Sequence, residues 1–182
     1  MTRMKVRDHL DEQSIAFIRR SPFLLLSTIS EDGCVEVSPK GDEPGFVHVE
    51  NANTLLYPDR AGNNRIDSFK NIVEGSGLLQ LIFFVPGIDE TLRVGGKGAV
   101  TVEPALLAAM EEFGKPPRAV LRIAVTEAYF HCGKALMRSK LWSARQVERK
   151  DFPSISEVIY DQTTLGDPDP QDVVYERYKT QL

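Results

Sequence analysis

The strongest constraint on this chain is a series of short apolar segments joined at hairpin distance, with few helical stretches between them. Phe23 to Ser30 is an apolar run, Glu31-Asp32-Gly33 is a turn signal, and Cys34 to Val37 alternates. A buried strand and its hairpin partner are therefore expected. Phe46 to Val49 and Thr54 to Tyr57 repeat the pattern across residues 50–53. Leu78 to Val85 is strongly apolar and Pro86-Gly87 breaks it. Thr91 to Val102 reads as a long strand punctuated by Gly95, Gly96 and Gly98, where a bulge would help a sheet curve, and Ala119 to His131 is the last long strand.

Helical spacing is confined to a few places. Asp11 to Arg19 carries Ile15 and Ile18 between charged flanks, and Ser21-Pro22 ends it. Ile66, Phe69, Ile72 and Val73 keep the helical period over Asn64 to Val73, with Gly75 as the stop. Glu103-Pro104 opens a third helix whose apolar face is Leu106, Leu107, Met110 and Phe113, closed by Gly114 and Pro116-Pro117. Six or more strands with three or four helices do not fit the regular alternation of a doubly wound sheet. The expectation is a mostly antiparallel barrel with peripheral helices over residues 1–150, followed by a polar C-terminal arm over residues 151–182.

At 182 residues, 42% hydrophobic and 26% charged, the chain has the composition of one globular domain with a real core. A formal net charge of −4 opposes a non-specific nucleic-acid role, which needs a basic field. Cys34 and Cys132 stand far apart without paired metal spacing, and no apolar stretch has membrane length. A reducing cytoplasmic setting, no membrane and no nucleic-acid partner are the expectations.

The cations are local. Tyr57 to Asn71 ends a strand in a basic, glycine-containing turn that opens a helix, the local chemistry of a phosphate site. Backbone N–H groups at a helix start face an anion, and Arg60 and Arg65 can each offer a planar fork of donors to phosphate oxygens. Solvated charge is the alternative, although cations at the positive end of a helix dipole are disfavoured unless an anion compensates them. Arg93 and Lys97 lie on one face of their strand. Arg93 among apolar neighbours reads as a ligand-facing cation or as an edge-strand charge that blocks aggregation.

Other signals are weaker. Gly95-Gly96-Lys97-Gly98 lacks the spacing and the following hydroxyl residue of a nucleotide P-loop. His131-Cys132 offers too few donors for zinc. Trp142, next to Arg138 and Lys140, serves either as packing or as a wall for an aromatic ring. No hydrolase elbow or zinc-protease helix is present, which leaves a cofactor as the visible source of chemistry.

Four segments in order resemble the pyridoxamine 5'-phosphate oxidase-like FMN-binding proteins: Val37-Ser38-Pro39-Lys40-Gly41-Asp42; the Tyr57 to Asn71 turn; Pro86-Gly87 leading to Glu90-Thr91-Leu92-Arg93-Val94; and His131 to Ala135 with Arg138 to Trp142. The resemblance covers roughly residues 21–142 and is closest to the branch of FMN-dependent enzymes of unassigned substrate. It implies a six-stranded split β-barrel homodimer with FMN at the subunit interface. By position, Val37, Ser38, Pro39 and Lys40 run beside the flavin ring and Tyr57 lies near the ribityl chain. Asn64 and Arg65 receive the phosphate, and Arg93 meets the pyrimidine edge, where a cation would stabilise an anionic reduced flavin. Lys134, Ser139 and Trp142 come from the other subunit.

The tail from Tyr175 to Leu182 does not match the Arg- and Trp-containing segment that ends the vitamin-B6 oxidases, which sets pyridoxamine phosphate oxidation aside. What remains is hydride transfer between FMN and a nicotinamide or small organic substrate. The alternative is a sensor or binding protein without turnover, holding flavin, haem or a deazaflavin in the same cleft. Only His9, His48 and His131 could serve haem as axial ligands.

Overall fold

Period-two alternation along the apolar segments gives seven strands in the computed structural model, which describes residues 6–60, 66–112, 114–143 and 147–180. They are β1 (Phe23–Ile29), β2 (Val35–Gly41), β3 (His48–Asn51), β4 (Thr54–Pro58), β5 (Leu78–Val85), β6 (Ile88–Thr101) and β7 (Val120–His131). Neighbours pair antiparallel in the order β2-β1-β5-β6-β7-β4-β3. The mainly β, antiparallel architecture with peripheral helices is the one expected. The count is seven strands rather than six; the short β3 pairs only with β4 and ends one edge of the sheet, and β2 ends the other.

The described residues also form six α-helices: α1 (Glu12–Ile18), α2 (Asp67–Glu74), α3 (Pro104–Ala109), α4 (Lys134–Ser139), α5 (Ile155–Thr163) and α6 (Gln171–Lys179). Asp11 caps α1 by accepting from the Ser14 N–H at 2.8 Å. Gly75 closes α2, as its place in the sequence suggests, but Asn64 and Arg65 at the expected start of that helix lie outside the described residues. The third helix is shorter than its apolar pattern predicts, ending at Ala109 with Met110 as its buried cap, and Phe113 lies outside the described residues.

The chain divides into two compact units, the first running to Trp142 apart from a short segment after Arg60, the second from Ser143 onward. In the second, Ser154 caps α5 in a reciprocal capping box with Glu157, and Val174 of α6 is fully buried. The polar composition of this tail therefore conceals two helices.

In the first unit, alternate residues of β1, β5, β6 and β7 point into one core. Leu24 and Leu26 of β1, Leu81 and Phe83 of β5, Leu92 and Val94 of β6, Leu121 and Ile123 of β7, and Leu55 of β4 belong to a single buried cluster, closed by Phe17 and Ile18 of α1 and Ile72 of α2. Strands β1 and β4 are separated by β5, β6 and β7 in the sheet, yet share this core, so the sheet curls over itself.

Glycines on β6 permit the curl. A Cβ on Gly98 would come within 2.8 Å of Leu121 and 2.9 Å of Leu79, and one on Gly96 within 2.5 Å of the Ala124 carbonyl oxygen. Between Gly95 and Gly96 the register against β7 shifts, Gly95 facing Glu127 and Gly96 facing Val125, so Thr126 is the extra residue of a bulge. Gly96→Ala should destabilise the protein by about 1–3 kcal/mol in urea unfolding, because the obstructing atom is backbone and cannot rotate away. A change below about 0.5 kcal/mol would mean that the β6–β7 ladder yields freely there.

Candidate functional site

The outer face of the sheet is unusual because apolar side chains occupy it. On edge strand β2 the pattern is inverted: Glu36, Ser38 and Lys40 are half-buried, while Val35 and Val37 are 66% and 60% exposed. Registers across the sheet align two rows on that face. One runs Pro39, Leu25, Ile82, Arg93, Tyr129; the next runs Val37, Ser27, Gln80, Gly95, Glu127. Between them lies a cleft of about 370 Å³ lined by Leu25, Ser27, Ile29, Val35, Val37, Leu78, Leu79, Gln80, Ile82 and Arg93. Its size and its apolar walls with a few convergent polar groups are those of a small-molecule site.

Arg93 is the charged group of this cleft. Its Nη2 donates to Gln80 Oε1, Gln80 Nε2 donates to Glu127 Oε1 at 2.7 Å, and its guanidinium carbon lies 5.6 Å from the centre of the Tyr129 ring. Its Nε is buried and, among the described residues, is the one buried side-chain nitrogen or oxygen without a hydrogen-bond partner. A buried unmet donor costs about 1–3 kcal/mol, so this atom marks a place where a ligand acceptor would be stabilising.

The other face of β2 carries a polar row. Ser38 shares a hydrogen bond of 3.0 Å with Ser68 of α2, and Asn71 Nδ2 donates to Thr28 at 3.1 Å and to Glu36 at 2.9 Å. Further along, burial pushes the Lys40 ammonium below its ordinary value, with Asp59 opposing. Burial likewise pushes the Asp59 carboxyl up, against the pull of Lys40 and Arg118. Tyr57 is buried beside them, and burial, reinforced by Asp59 and Asp42, keeps its hydroxyl protonated. Arg60 pairs through Nε with Asp42 at 2.9 Å.

The helix α4 packs beside the start of β6. Gly133 lies so close to Asp89 that a Cβ would fall 2.6 Å from the Asp89 Cβ, and Trp142 Nε1 donates to the Ile88 carbonyl at 2.9 Å. Ser139 Oγ donates to the Leu136 carbonyl of its own helix at 3.0 Å, and Lys134 is exposed.

The residues singled out from the sequence thus fall into three places. Val37, Pro39 and Arg93 share the outer face, with Val37 and Arg93 lining the cleft; Ser38, Lys40, Tyr57 and Arg60 lie along the polar row behind β2; Lys134, Ser139 and Trp142 stand at α4, outside the cleft lining of the same chain. Asn64 and Arg65 lie outside the described residues. Sequence reasoning missed Gln80, Glu127 and Asp59. Gln80 had a faint signal, one polar residue inside Leu78 to Val85, whereas Glu127 is tied to Arg93 only through strand register.

Among the described residues no three His, Cys, Asp or Glu side chains are placed to share a metal, and no helix is long and apolar enough to cross a membrane. No curated protein matches the sequence. Solved structures match in fold: HupZ of Group A Streptococcus, with a TM-score of 0.53 at 18% identity over 66% of this chain and 93% of that one; a provisionally assigned pyridoxamine 5'-phosphate oxidase from Lactobacillus delbrueckii, 0.52 at 22% over 68% and 95%; and a relative of general stress protein 26 from Clostridium acetobutylicum, 0.50 at 10% over 65% and 85%. The family model described as pyridoxamine 5'-phosphate oxidase matches residues 10–132, a segment that runs from two residues before α1 to the residue after β7 and includes the cleft. With more than half of its length matched, the chain belongs to the pyridoxamine 5'-phosphate oxidase family.

Proposed function

We propose that this protein is an FMN-binding flavoprotein of the pyridoxamine 5'-phosphate oxidase type, a homodimer that transfers a hydride between a nicotinamide or small organic substrate and the flavin. The observation that carries this reading is the buried, unpartnered Nε of Arg93 in an otherwise apolar cleft. A flavin ring system fits such a donor set: a flat apolar body for Leu25, Val37 and Ile82, and acceptor atoms along one edge for Arg93.

Supporting features surround it. Strand β2 is a sheet edge, paired only with β1 among the described residues, so its other side has backbone N–H and C=O groups for Val37 to Lys40 to offer a ring. Pro39 is tolerated there because an edge position does not need its N–H. Asn64 and Arg65, with Arg60, receive the phosphate, and Tyr57 lies toward the ribityl chain. The exposed apolar row of β2 is covered by a second copy, which also brings Lys134, Ser139 and Trp142 to close the site. FMN supplies the hydride chemistry at its N5 atom; the chain orients the ring, excludes water from it and keeps a fixed positive charge at its edge.

The purified protein should show a bound flavin absorption spectrum that bleaches with NADPH in the absence of oxygen. Colourless protein that refuses added FMN would overturn the cofactor, a Soret band would point to haem, and flavin that stays oxidised with every hydride donor would leave a binder without turnover. Val37→Glu places a charge in the apolar row and should shift the protein to monomers in sedimentation, with flavin lost in parallel; a dimer unchanged by that substitution would move the interface elsewhere.

The charges behind β2 give a pH test. The folded state holds the Asp59 proton more tightly than the unfolded chain does, so this group's contribution to stability is fullest below the ordinary carboxylate value and is lost as pH rises through the elevated one. Asp59→Asn has no such proton. Wild-type stability relative to that variant should fall as pH goes from about 3 to about 7 in urea unfolding, and a pH-independent difference would refute the shift.

A further inference from the structure

Three residues in one register row explain why Arg93 is held as it is. Gln80 of β5, Gly95 of β6 and Glu127 of β7 stand side by side, and the middle one has no side chain. A Cβ on Gly95 would lie 2.7 Å from Glu127 Cγ and 2.9 Å from Glu127 Oε1, so the glycine leaves a window through which the carboxylate reaches across β6. There it accepts from Gln80 Nε2 at 2.7 Å. The bulge at Gly95 and Gly96 sets Glu127, rather than Thr126, opposite the window.

The chemistry of the three groups admits one arrangement. A carboxylate only accepts and a guanidinium only donates, so the Gln80 amide between them must turn its NH₂ to Glu127 and its oxygen to Arg93. That oxygen takes one Nη2 hydrogen of Arg93, and the Tyr129 ring lies 5.6 Å from the guanidinium carbon, which restricts the plane of the group. The buried Nε–H is left over. Among the described residues no acceptor meets it.

We propose that Glu127, acting through Gln80 across the Gly95 window, is a positioning residue that fixes the Arg93 guanidinium and reserves its Nε–H for an acceptor atom of the ligand in the cleft. The identification of that acceptor with the edge of FMN rests on the function proposed above; the Glu127–Gln80–Arg93 chain does not. Glu127 touches no ligand in this scheme. Its effect passes entirely through the orientation of one amide.

The test reads Arg93 directly. In the ¹⁵N spectrum of the apo protein, the Arg93 Nε–H signal, assigned by its loss in Arg93→Lys, should exchange slowly with water. Glu127→Ala and Gly95→Ala, which remove the acceptor or fill the window, should each speed that exchange about tenfold or more, while Glu127→Gln, which keeps an oxygen at the same reach, should restore most of the protection. The backbone amide spectrum of each variant reports whether it remains folded; Glu127→Ala decides the matter if Gly95→Ala does not fold. Adding FMN to wild type should shift the Nε–H signal, and the FMN dissociation constant should rise about tenfold in Glu127→Ala. Equal protection of Nε–H in wild type and folded Glu127→Ala would overturn the proposal. Protection lost in the variants without any response to FMN would uphold the positioning chain and overturn the cofactor.

Discussion

The β6–β7 ladder is the element on which the other features depend. It pairs eleven residues of each strand and joins the half of the sheet that contains β1, β2 and β5 to the half that contains β3 and β4. For both halves to face one core, the ladder has to bend, and a bend in a long antiparallel pair needs places where side chains do not collide. Gly96 and Gly98 provide them on the inner face, where Ile123, Leu121 and Leu79 occupy the space that a Cβ would need. Gly95 faces the other way. The same bulge that turns the sheet therefore opens the outer face at one point, and the polar chain from Glu127 to Arg93 passes through that opening.

Strand β2 is the second determinant, because its pattern runs against the rest of the sheet. An edge strand that turns Glu36, Ser38 and Lys40 inward has to satisfy them locally, and α2 does so for two of the three: Asn71 meets Glu36 and Ser68 meets Ser38. For Lys40 the half-buried Asp59 favours the charge that burial disfavours. Such groups are retained at a cost in desolvation, which is a common property of sites that await a charged ligand, though structural ion-pair networks share it. The exposed valines on the other side of β2 are the counterpart of that inversion. Turning polar residues inward turns apolar ones out.

Much of the fold was legible from the sequence because the strands obey period two and the turns use Glu-Asp-Gly, Pro-Gly and Pro-Pro signals. The glycines of β6 marked the right place on the β6–β7 ladder, but the extra residue of the bulge, Thr126, belongs to β7 and not to the strand that carries the glycines. What composition could not disclose were α5 and α6, since a polar segment whose helices bury little beyond Val174 and Ser154 has no strong apolar stripe to read. At the site, Arg93 stood out as a cation in an apolar strand, and Val37 as part of a family segment. Gln80 and Glu127 did not, because they lie 47 residues apart and meet only when two strand registers and a missing side chain bring them together. Arg60 shows the opposite difficulty: its local sequence offers a free donor, while the fold gives its Nε to Asp42, the residue just after β2 and 18 positions earlier.

These observations bear on how a cofactor would be read by this chain. The polar row behind β2 and the apolar cleft in front of it are two sides of the same edge strand, so a ligand that engages both must reach around that edge, not sit on one face alone. On the function proposed above, a molecule with a flat apolar body and an anionic tail would meet that requirement, the body in the cleft against Arg93 and the tail toward Lys40 on the far side. A ligand of a single character would leave one of the two systems unmet, either the buried Nε of Arg93 or the half-buried Lys40. On the function proposed above, the ligand is amphipathic along its length, and the feature of the chain that matches it is the inverted pattern of β2 more than any one residue.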